Sequence, residues 1–169
     1  MVLDAAIAAV EAELGPISIL VANAGITKDT LLLRMSDEEF ESVVDTNLNG
    51  VFRIVKRVIK SMLKQKFGRV ILIGSVVGLL GSAGQVNYSS TKSALVGMAR
   101  SITREIGAKN ITANVVAPGV AENSVSTPLH EIPMGRLALL QEIAQAVLFF
   151  VREPYLTGQV LEVAGGWNL

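Results

Sequence analysis

Hydrophobic and polar positions along the chain alternate between two periods. Leu3, Ile7, Val10 and Leu14 recur at helical spacing, the apolar stripe of an amphipathic helix, and Gly15-Pro16 stops it. Ile17 to Ala22 is a short continuous apolar run, the pattern of a buried strand, and it closes on the turn-forming triplet Asn23-Ala24-Gly25. Ser36-Asp37-Glu38-Glu39 matches a capping box and predicts a helix start near Asp37. Phe40, Val43, Val44, Leu48, Val51, Phe52, Val55, Ile59 and Met62 carry that helix to about Lys64, and a second strand follows at Val70 to Gly74. Ser75 to Gln85 reads as a Gly- and Ser-rich loop, about Asn87 to Ala108 as a helix, and Ile111 to Ala117 as a third strand closed by Pro118-Gly119. Val120 to Gly135 is loop-like. A helix from about Leu139 to Val151, a strand near Gly158 to Val163 and the turn Gly165-Gly166 complete the pattern. Strands alternating with long helices predict right-handed βαβ units on a parallel sheet, an α/β fold. No repeat, linker or shift in composition divides residues 1–169, so the expectation is a single domain.

Composition narrows the chemistry. Half of the 169 residues are hydrophobic and 18% are charged, which describes a globular body rather than a disordered one. The absence of cysteine excludes disulfide frameworks, thiolate zinc sites and cysteine nucleophiles. One histidine, His130, excludes a multi-histidine metal centre, and no metal site is expected. His130 lies in the loop-like stretch and reads as a surface residue. Fifteen basic and fifteen acidic side chains leave a net charge of zero, so neither nucleic acid nor an anionic membrane is an expected partner. Asp4, Glu11 and Glu13 give the leading segment the wrong charge for a signal peptide, and Val70 to Leu80 is too short to cross a bilayer. A cytoplasmic location is the expectation.

The remaining candidates are Ser, Tyr, Lys and Asn near strand ends, where ligands of parallel sheets collect. Asn23-Ala24-Gly25, Gly74-Ser75 and Pro118-Gly119 each close a strand with small or polar residues that let a planar ligand approach the backbone. Tyr88 and Lys92 stand four apart at a helix start and share one face. An ammonium beside a phenol favours the phenolate and makes acid–base work possible near neutral pH. An ordinary exposed i,i+4 pair is the alternative. Ser75, thirteen residues before Tyr88, could donate to a carbonyl oxygen. Asn47 is a polar residue in an apolar helix pattern, and a surface position beside Asn49 is its plainer reading.

Five segments together carry a family resemblance. Asn23-Ala24-Gly25, Asn47-Leu48-Asn49-Gly50, Gly74-Ser75-Val76-Val77-Gly78, Tyr88-x-x-x-Lys92 and Asn114-Val115-Val116-Ala117-Pro118-Gly119 follow the order and spacing of the short-chain dehydrogenase/reductase family. Gly25-Ile26-Thr27-Lys28-Asp29 through Leu33-Arg34-Met35, and Gly84-Gln85-Val86-Asn87-Tyr88, resemble its 3-oxoacyl-[acyl-carrier-protein] reductase branch. The resemblance implies a Rossmann-like doubly wound parallel sheet and NADP(H)-dependent reduction of 3-oxoacyl groups linked to acyl carrier protein or CoA, in fatty acid biosynthesis. It implies Asn47, Ser75, Tyr88 and Lys92 as catalytic residues: Tyr88 as general acid, Ser75 on the substrate carbonyl, Lys92 on the nicotinamide ribose and lowering the Tyr88 pKa, and Asn47 kinking its helix and anchoring a water that leads to Lys92. Asn23, Ala24, Gly25, Pro118, Gly119 and Val120, with Tyr88 and Lys92, would line the cofactor. A homodimer or homotetramer is implied, paired through the helices of Asp37 to Lys64 and Asn87 to Ala108. Alternatives within reach are another short-chain carbonyl reductase, acting for example on a steroid, and an inactive subunit that only assembles.

The sequence departs from the family at its front. The family's opening strands and Gly-rich phosphate-binding turn have no counterpart, and Met1 falls where the helix after the third strand is expected. The N-terminal strands are therefore expected to be absent from this chain, leaving Ile17 to Ala22 as an exposed edge. Gly74-x-x-x-Gly78-x-x-Gly81 is not that fingerprint, because it lacks the close Gly-x-Gly pair. The stretch between Pro118-Gly119 and Gly135-Arg136 is shorter than the family's, Asn123 stands where a Thr is usual, and Ala164 replaces an Asp. Lys64, Lys66, Arg69 and Lys109 could form a basic patch for an acidic carrier protein.

Overall fold

The structure, a computed structural model, describes residues 2–122 and 129–168. Four parallel strands, β1 (Ile19–Ala22), β2 (Gly68–Ile73), β3 (Ile111–Pro118) and β4 (Val160–Val163), stand side by side in chain order. The register pairs Ile19 with Arg69, Gly68 with Ile111, and Val115 with Val160. Parallel pairing requires a crossover between successive strands. Helix α3 (Gly50–Gln65) returns the chain from β1 to β2, α5 (Val86–Ile106) from β2 to β3, and α6 (Leu140–Arg152) from β3 to β4.

Side-chain alternation along the strands divides the core in two. Leu20, Val70, Leu72, Ala113 and Val115 point to one face, where they pack with Ile7 of α1 (Val2–Leu14), with Val51, Val55, Val58 and Met62 of α3, and with Leu95 and Ala99 of α5. Ile71, Ile73 and Val116 point to the other, covered by Ala146 and Phe150 of α6. Helices on both faces of a parallel sheet give the Rossmann-like α/β arrangement expected. Helix α6 packs on β2 and β3 and leaves β1 uncovered on that side, so Ile19 and Val21 are 44% and 42% exposed. That is the exposed edge the sequence anticipates.

Two local features depart from the expectation. The helix read from Asp37 to Lys64 is three pieces: α2 (Asp37–Val44), a π-helical segment Asp45–Asn49, and α3. The capping box that starts α2 is present, with Ser36 Oγ accepting from the Glu39 N–H and the Glu39 carboxylate accepting from the Ser36 N–H. The Ser75–Gln85 loop contains a one-turn helix, α4 (Val77–Leu80), pressed onto α5. A Cβ on Gly78 would lie 2.8 Å from Lys92 Cβ and 2.9 Å from backbone atoms of Lys92 and Ser93. This glycine is a packing contact between helices, in keeping with its rejection as part of a phosphate-binding turn.

The basic patch does not form as read. Arg69 is buried, and its guanidinium donates to the carbonyls of Gly68 (2.8 Å), Asn110 (3.1 Å) and Val151 (3.3 Å) while lying 4.4 Å from the centre of the Phe67 ring. Lys64, Lys66 and Lys109 are exposed, but they cluster at the amino ends of β2 and β3. His130 is exposed in a short 3-10 turn, Leu129–Glu131. Asn123 lies outside the described residues. Among the described residues no helix is long and apolar enough to cross a membrane.

Candidate active site

At the carboxyl ends of β1, β2 and β3 the chain encloses a cleft of about 280 Å³. Its walls include Asn23, Gly25, Ile73, Gly74, Tyr88, Lys92 and Pro118. Three strand ends and one helix face thus converge, as the βαβ geometry requires of a ligand site. Tyr88 and Lys92 sit in the first two turns of α5, and the i,i+4 spacing brings the Lys92 ammonium to 5.5 Å from the centre of the Tyr88 ring. Lys92 is buried, and its Nζ donates to the carbonyl of Ile73, the last residue of β2, at 2.7 Å.

Burial governs the electrostatics. It pushes the Lys92 amine down to about 8, because the low-dielectric surroundings penalise its charged form. Burial also pushes the Tyr88 phenol up, hydrogen bonding with the Ser75 side chain pulls it the other way, and the negative charge of Asp29 adds to the rise. Desolvation is the largest of these causes, and the net shift of the phenol is upward. Ser75 also accepts a hydrogen bond from the Val77 N–H at 3.2 Å, in the turn that starts α4.

Asn47 is fully buried, contrary to its plainer reading as a surface residue. Its Oδ1 accepts from the Ile26 N–H at 2.8 Å, and its Nδ2 donates to the Ile26 carbonyl at 2.9 Å and to Thr91 Oγ1 at 3.4 Å. One amide thereby serves both backbone groups of Ile26, as a neighbouring strand would. The π-helical segment turns Asn47 inward toward the loop after β1, which accounts for the break in the helix. A Cβ on Gly25 would lie 3.3 Å from Asn47 Oδ1 and 3.5 Å from Lys92 Nζ, so the glycine lets the loop approach both side chains.

The other expected cofactor residues are distributed around this cleft. Ala24 shares with Asn23 a neighbouring hollow between β1 and the start of α3. The backbone of Gly119 is bonded to β4 through its N–H to the Val163 carbonyl, and a Cβ there would meet Ala164 at 2.9 Å. Val120 lines a separate, larger cleft of about 490 Å³ with Met134, Arg136, Glu142 and Gly165. The structure thus brings Asn23, Gly25, Tyr88, Lys92 and Pro118 together, with Ser75 against Tyr88, and sets Ala24, Gly119 and Val120 on adjoining surfaces.

The sequence reading gave no role to Asn87 or Thr91, both buried beside Tyr88. Asn87 Nδ2 donates to the Lys28 carbonyl at 2.9 Å and its Oδ1 accepts from the Tyr88 N–H at 2.7 Å. Thr91 donates to the Tyr88 carbonyl at 2.8 Å. A polar residue repeated every four positions, Asn87 to Thr91, on the face adjoining Tyr88 and Lys92 was the available signal.

Comparison with known proteins agrees with this arrangement. A profile of the short chain dehydrogenases matches residues 2–131. The 3-oxoacyl-[acyl-carrier-protein] reductase FabG of Escherichia coli is 46% identical over 168 residues, covering 93% of this chain and 69% of that protein. The FabG of Vibrio cholerae is 41% identical over 175 residues, covering 97% and 72%. The 3-oxoacyl-[acyl-carrier-protein] reductase MabA of Mycobacterium bovis is 43% identical over 177 residues, covering 98% and 72%. With a parallel sheet, a glycine-walled cleft at its carboxyl end and matches of this extent, the chain belongs to the short chain dehydrogenases, oxidoreductases that work with a nicotinamide cofactor.

Proposed function

We propose that this chain reduces 3-oxoacyl groups carried on acyl carrier protein to 3-hydroxyacyl groups in fatty acid biosynthesis, using NADP(H), in the cytoplasm. The observation that carries this reading is the meeting of the Tyr88 phenol and the Lys92 amine in one cleft walled by Asn23, Gly25 and Pro118. Glycine and proline at Gly25, Gly74 and Pro118 would let a flat ring approach the backbone; a Cβ at Gly25 would crowd Asn47 Oδ1 at 3.3 Å, and one at Gly74 would collide with Val115 Cγ1 at 2.7 Å. Lys92, Asn23, Gly25 and Pro118 would hold the nicotinamide and its ribose, with Ala24, Gly119 and Val120 extending the surface. When bound, that ring supplies a hydride to the substrate's carbonyl carbon.

The chain's own groups handle the oxygen. Ser75 donates a hydrogen bond where negative charge develops, and Tyr88 gives up its phenolic proton to complete the hydroxyl. A phenol raised by burial keeps its proton until the oxygen becomes basic. The Lys92 ammonium then stabilises the phenolate left behind and, at about 8, can return a proton near neutral pH. Asn47 serves the site by fixing Ile26. A water held beside Asn47 and leading to Lys92 belongs to the same reading. Pairing into dimers or tetramers through the outer faces of α3 and α5 completes the reading; Phe52 and Leu63 are exposed on α3.

The test is NADPH oxidation by the complete polypeptide with acetoacetyl thioesters of acyl carrier protein and of CoA. Turnover is expected with the carrier-linked substrate, and Tyr88→Phe should lower it by about a hundred- to ten-thousandfold, the usual share of a general acid. Turnover only with steroid or sugar carbonyls would assign the site to a different reductase. Assembly without turnover on any carbonyl would make the chain a structural subunit.

A further inference from the structure

The segment from Asn23 to Asp29 forms one wall of the cleft and is exposed along its whole length. Its one large apolar side chain, Ile26, is 38% exposed, so hydrogen bonds carry much of its positioning. One set comes from Asn47 at Ile26, described above. A second set comes from the start of α5. Asn87 donates to the Lys28 carbonyl at 2.9 Å, Gln85 Nε2 donates to the Asp29 carboxylate at 2.8 Å, and the Thr30 N–H donates to the Gly84 carbonyl at 2.8 Å. Three consecutive residues of the loop are stitched to residues 84–87.

Of these three ties, that of Asn87 is the buried one; its side chain has no measurable exposure. Its other end meets a separate need of the helix. The N-cap of α5, Gln85, makes no side-chain cap bond, so the first backbone N–H groups lack their usual acceptor. Asn87 Oδ1 supplies one to the Tyr88 N–H at 2.7 Å. A single amide therefore holds the cleft wall with its nitrogen and the Tyr88 backbone with its oxygen. Both bonds are of good hydrogen-bonding length and the residue is fully buried, so no water stands in for either partner's loss.

We propose that Asn87 is a positioning residue for Tyr88, fixing the distance between the phenol and the opposite wall of the cleft. The proposal rests on the reading of Tyr88 as the proton donor, and acts through Tyr88 rather than on the substrate. Loss of the amide releases both ends together: the loop at Lys28 and the first turn of α5 loosen, and the phenol samples positions out of line with the carbonyl. The effect falls on kcat, because proton transfer depends on alignment, while residues that bind cofactor and substrate remain.

The experiment is Asn87→Ala in the full chain, read first by amide hydrogen exchange and by tyrosinate absorbance against pH. Only two tyrosines are present, and Tyr155 is 98% exposed, so Tyr155→Phe, carried in parent and variant alike, leaves Tyr88 as the one phenol read. Exchange is expected to quicken in both residues 24–31 and residues 84–91, and Tyr88 to titrate at a lower pH than in the parent chain. Slow exchange in both segments with an unmoved Tyr88 titration would overturn the proposal. Asn87→Asp covers the case in which the alanine variant does not fold. It keeps an acceptor for the Tyr88 N–H and loses the donor to Lys28, so the loop should quicken while the helix start stays slow; a loop that stays slow overturns the proposal. In turnover, Asn87→Ala should lower kcat about ten- to a hundredfold with KM little changed. Tyr88→Phe separates the two readings: if it leaves turnover intact, the general-acid assignment fails, whereas the exchange and titration results still decide whether Asn87 holds the loop and the helix together.

Discussion

Two cations are buried at opposite ends of β2, and among the described residues neither is paired with a carboxylate. Arg69, near the start of the strand, spreads its guanidinium over three backbone carbonyls and stacks on Phe67. Lys92 reaches the other end of the strand and has a single carbonyl, that of Ile73. Burial lowers the pKa of both groups. A guanidinium starts so high that it stays charged, and its fork of donors replaces most of the lost hydration. An amine with one acceptor is brought to about 8, within reach of ordinary proton exchange. The same burial therefore yields a strut at one end of the sheet and a chemical group at the other. The difference lies in how many acceptors the backbone offers.

Breaking each cation should have opposite consequences. Lys92→Met keeps the bulk of the side chain and removes the charge. Turnover in the complete polypeptide should fall about a hundredfold or more, because the phenolate left at Tyr88 then lacks the ammonium beside it, with little loss of thermal stability. Arg69→Met should do the reverse. The carbonyls of Gly68, Asn110 and Val151 lose a donor, and chemical denaturation should show a loss of about 2 kcal/mol or more, with kcat unchanged in whatever folds. Equal losses of stability in the two variants would end the distinction.

Gly78→Ala sharpens the comparison from the backbone side. The added Cβ would press on the Lys92 and Ser93 backbone at 2.9 Å, forcing α4 off α5 at a cost of about 1–3 kcal/mol. A cofactor-independent melt should show that loss. A pH dependence tests the same cation. Lys92 has a folded-state pKa of about 8 against an ordinary 10.5, so between those values the unfolded chain binds more protons than the folded one. Stability from this group is complete above 10.5 and is lost as pH falls through about 8. The melting temperature of Lys92→Met, compared with the parent chain across that window, should lack this rising contribution. A parallel pH trend in both chains would place the amine outside the buried site.

The contrast between the cations also marks what the sequence could disclose. Tyr88 and Lys92 are legible because a four-residue spacing fixes a shared helix face whatever the tertiary context, and strand ends are legible because apolar runs stop at Asn23, Gly74 and Pro118. Arg69 is misread because Lys64 and Lys66 nearby suggest a basic surface; only the strand register, which sets Arg69 beside the carbonyls at the start of β3, reveals its burial. Asn47 could be taken for a surface residue because apolar spacing continues through Leu48. Its inward turn depends on a change of helix type that periodicity does not register. Asn87 went unmarked because a polar residue at a helix start usually does nothing more than cap it, and its partner, Lys28, is 59 residues away. Long-range polar contacts of this kind have no local signature.

The π-helical segment at Asp45–Asn49 is equivalent to one residue inserted into an α-helix. Deleting a single residue there would let α2 and α3 fuse into an uninterrupted helix, locally more regular than the native one. Removing one residue turns one half against the other by roughly 100° about the axis. Either Val43 or the row Val51, Val55, Val58 and Met62 would then leave its buried position. The irregularity thus works as a phase adjustment between two apolar faces, with Asn47 at the seam, and it makes this helix less tolerant of deletion than the loops around it.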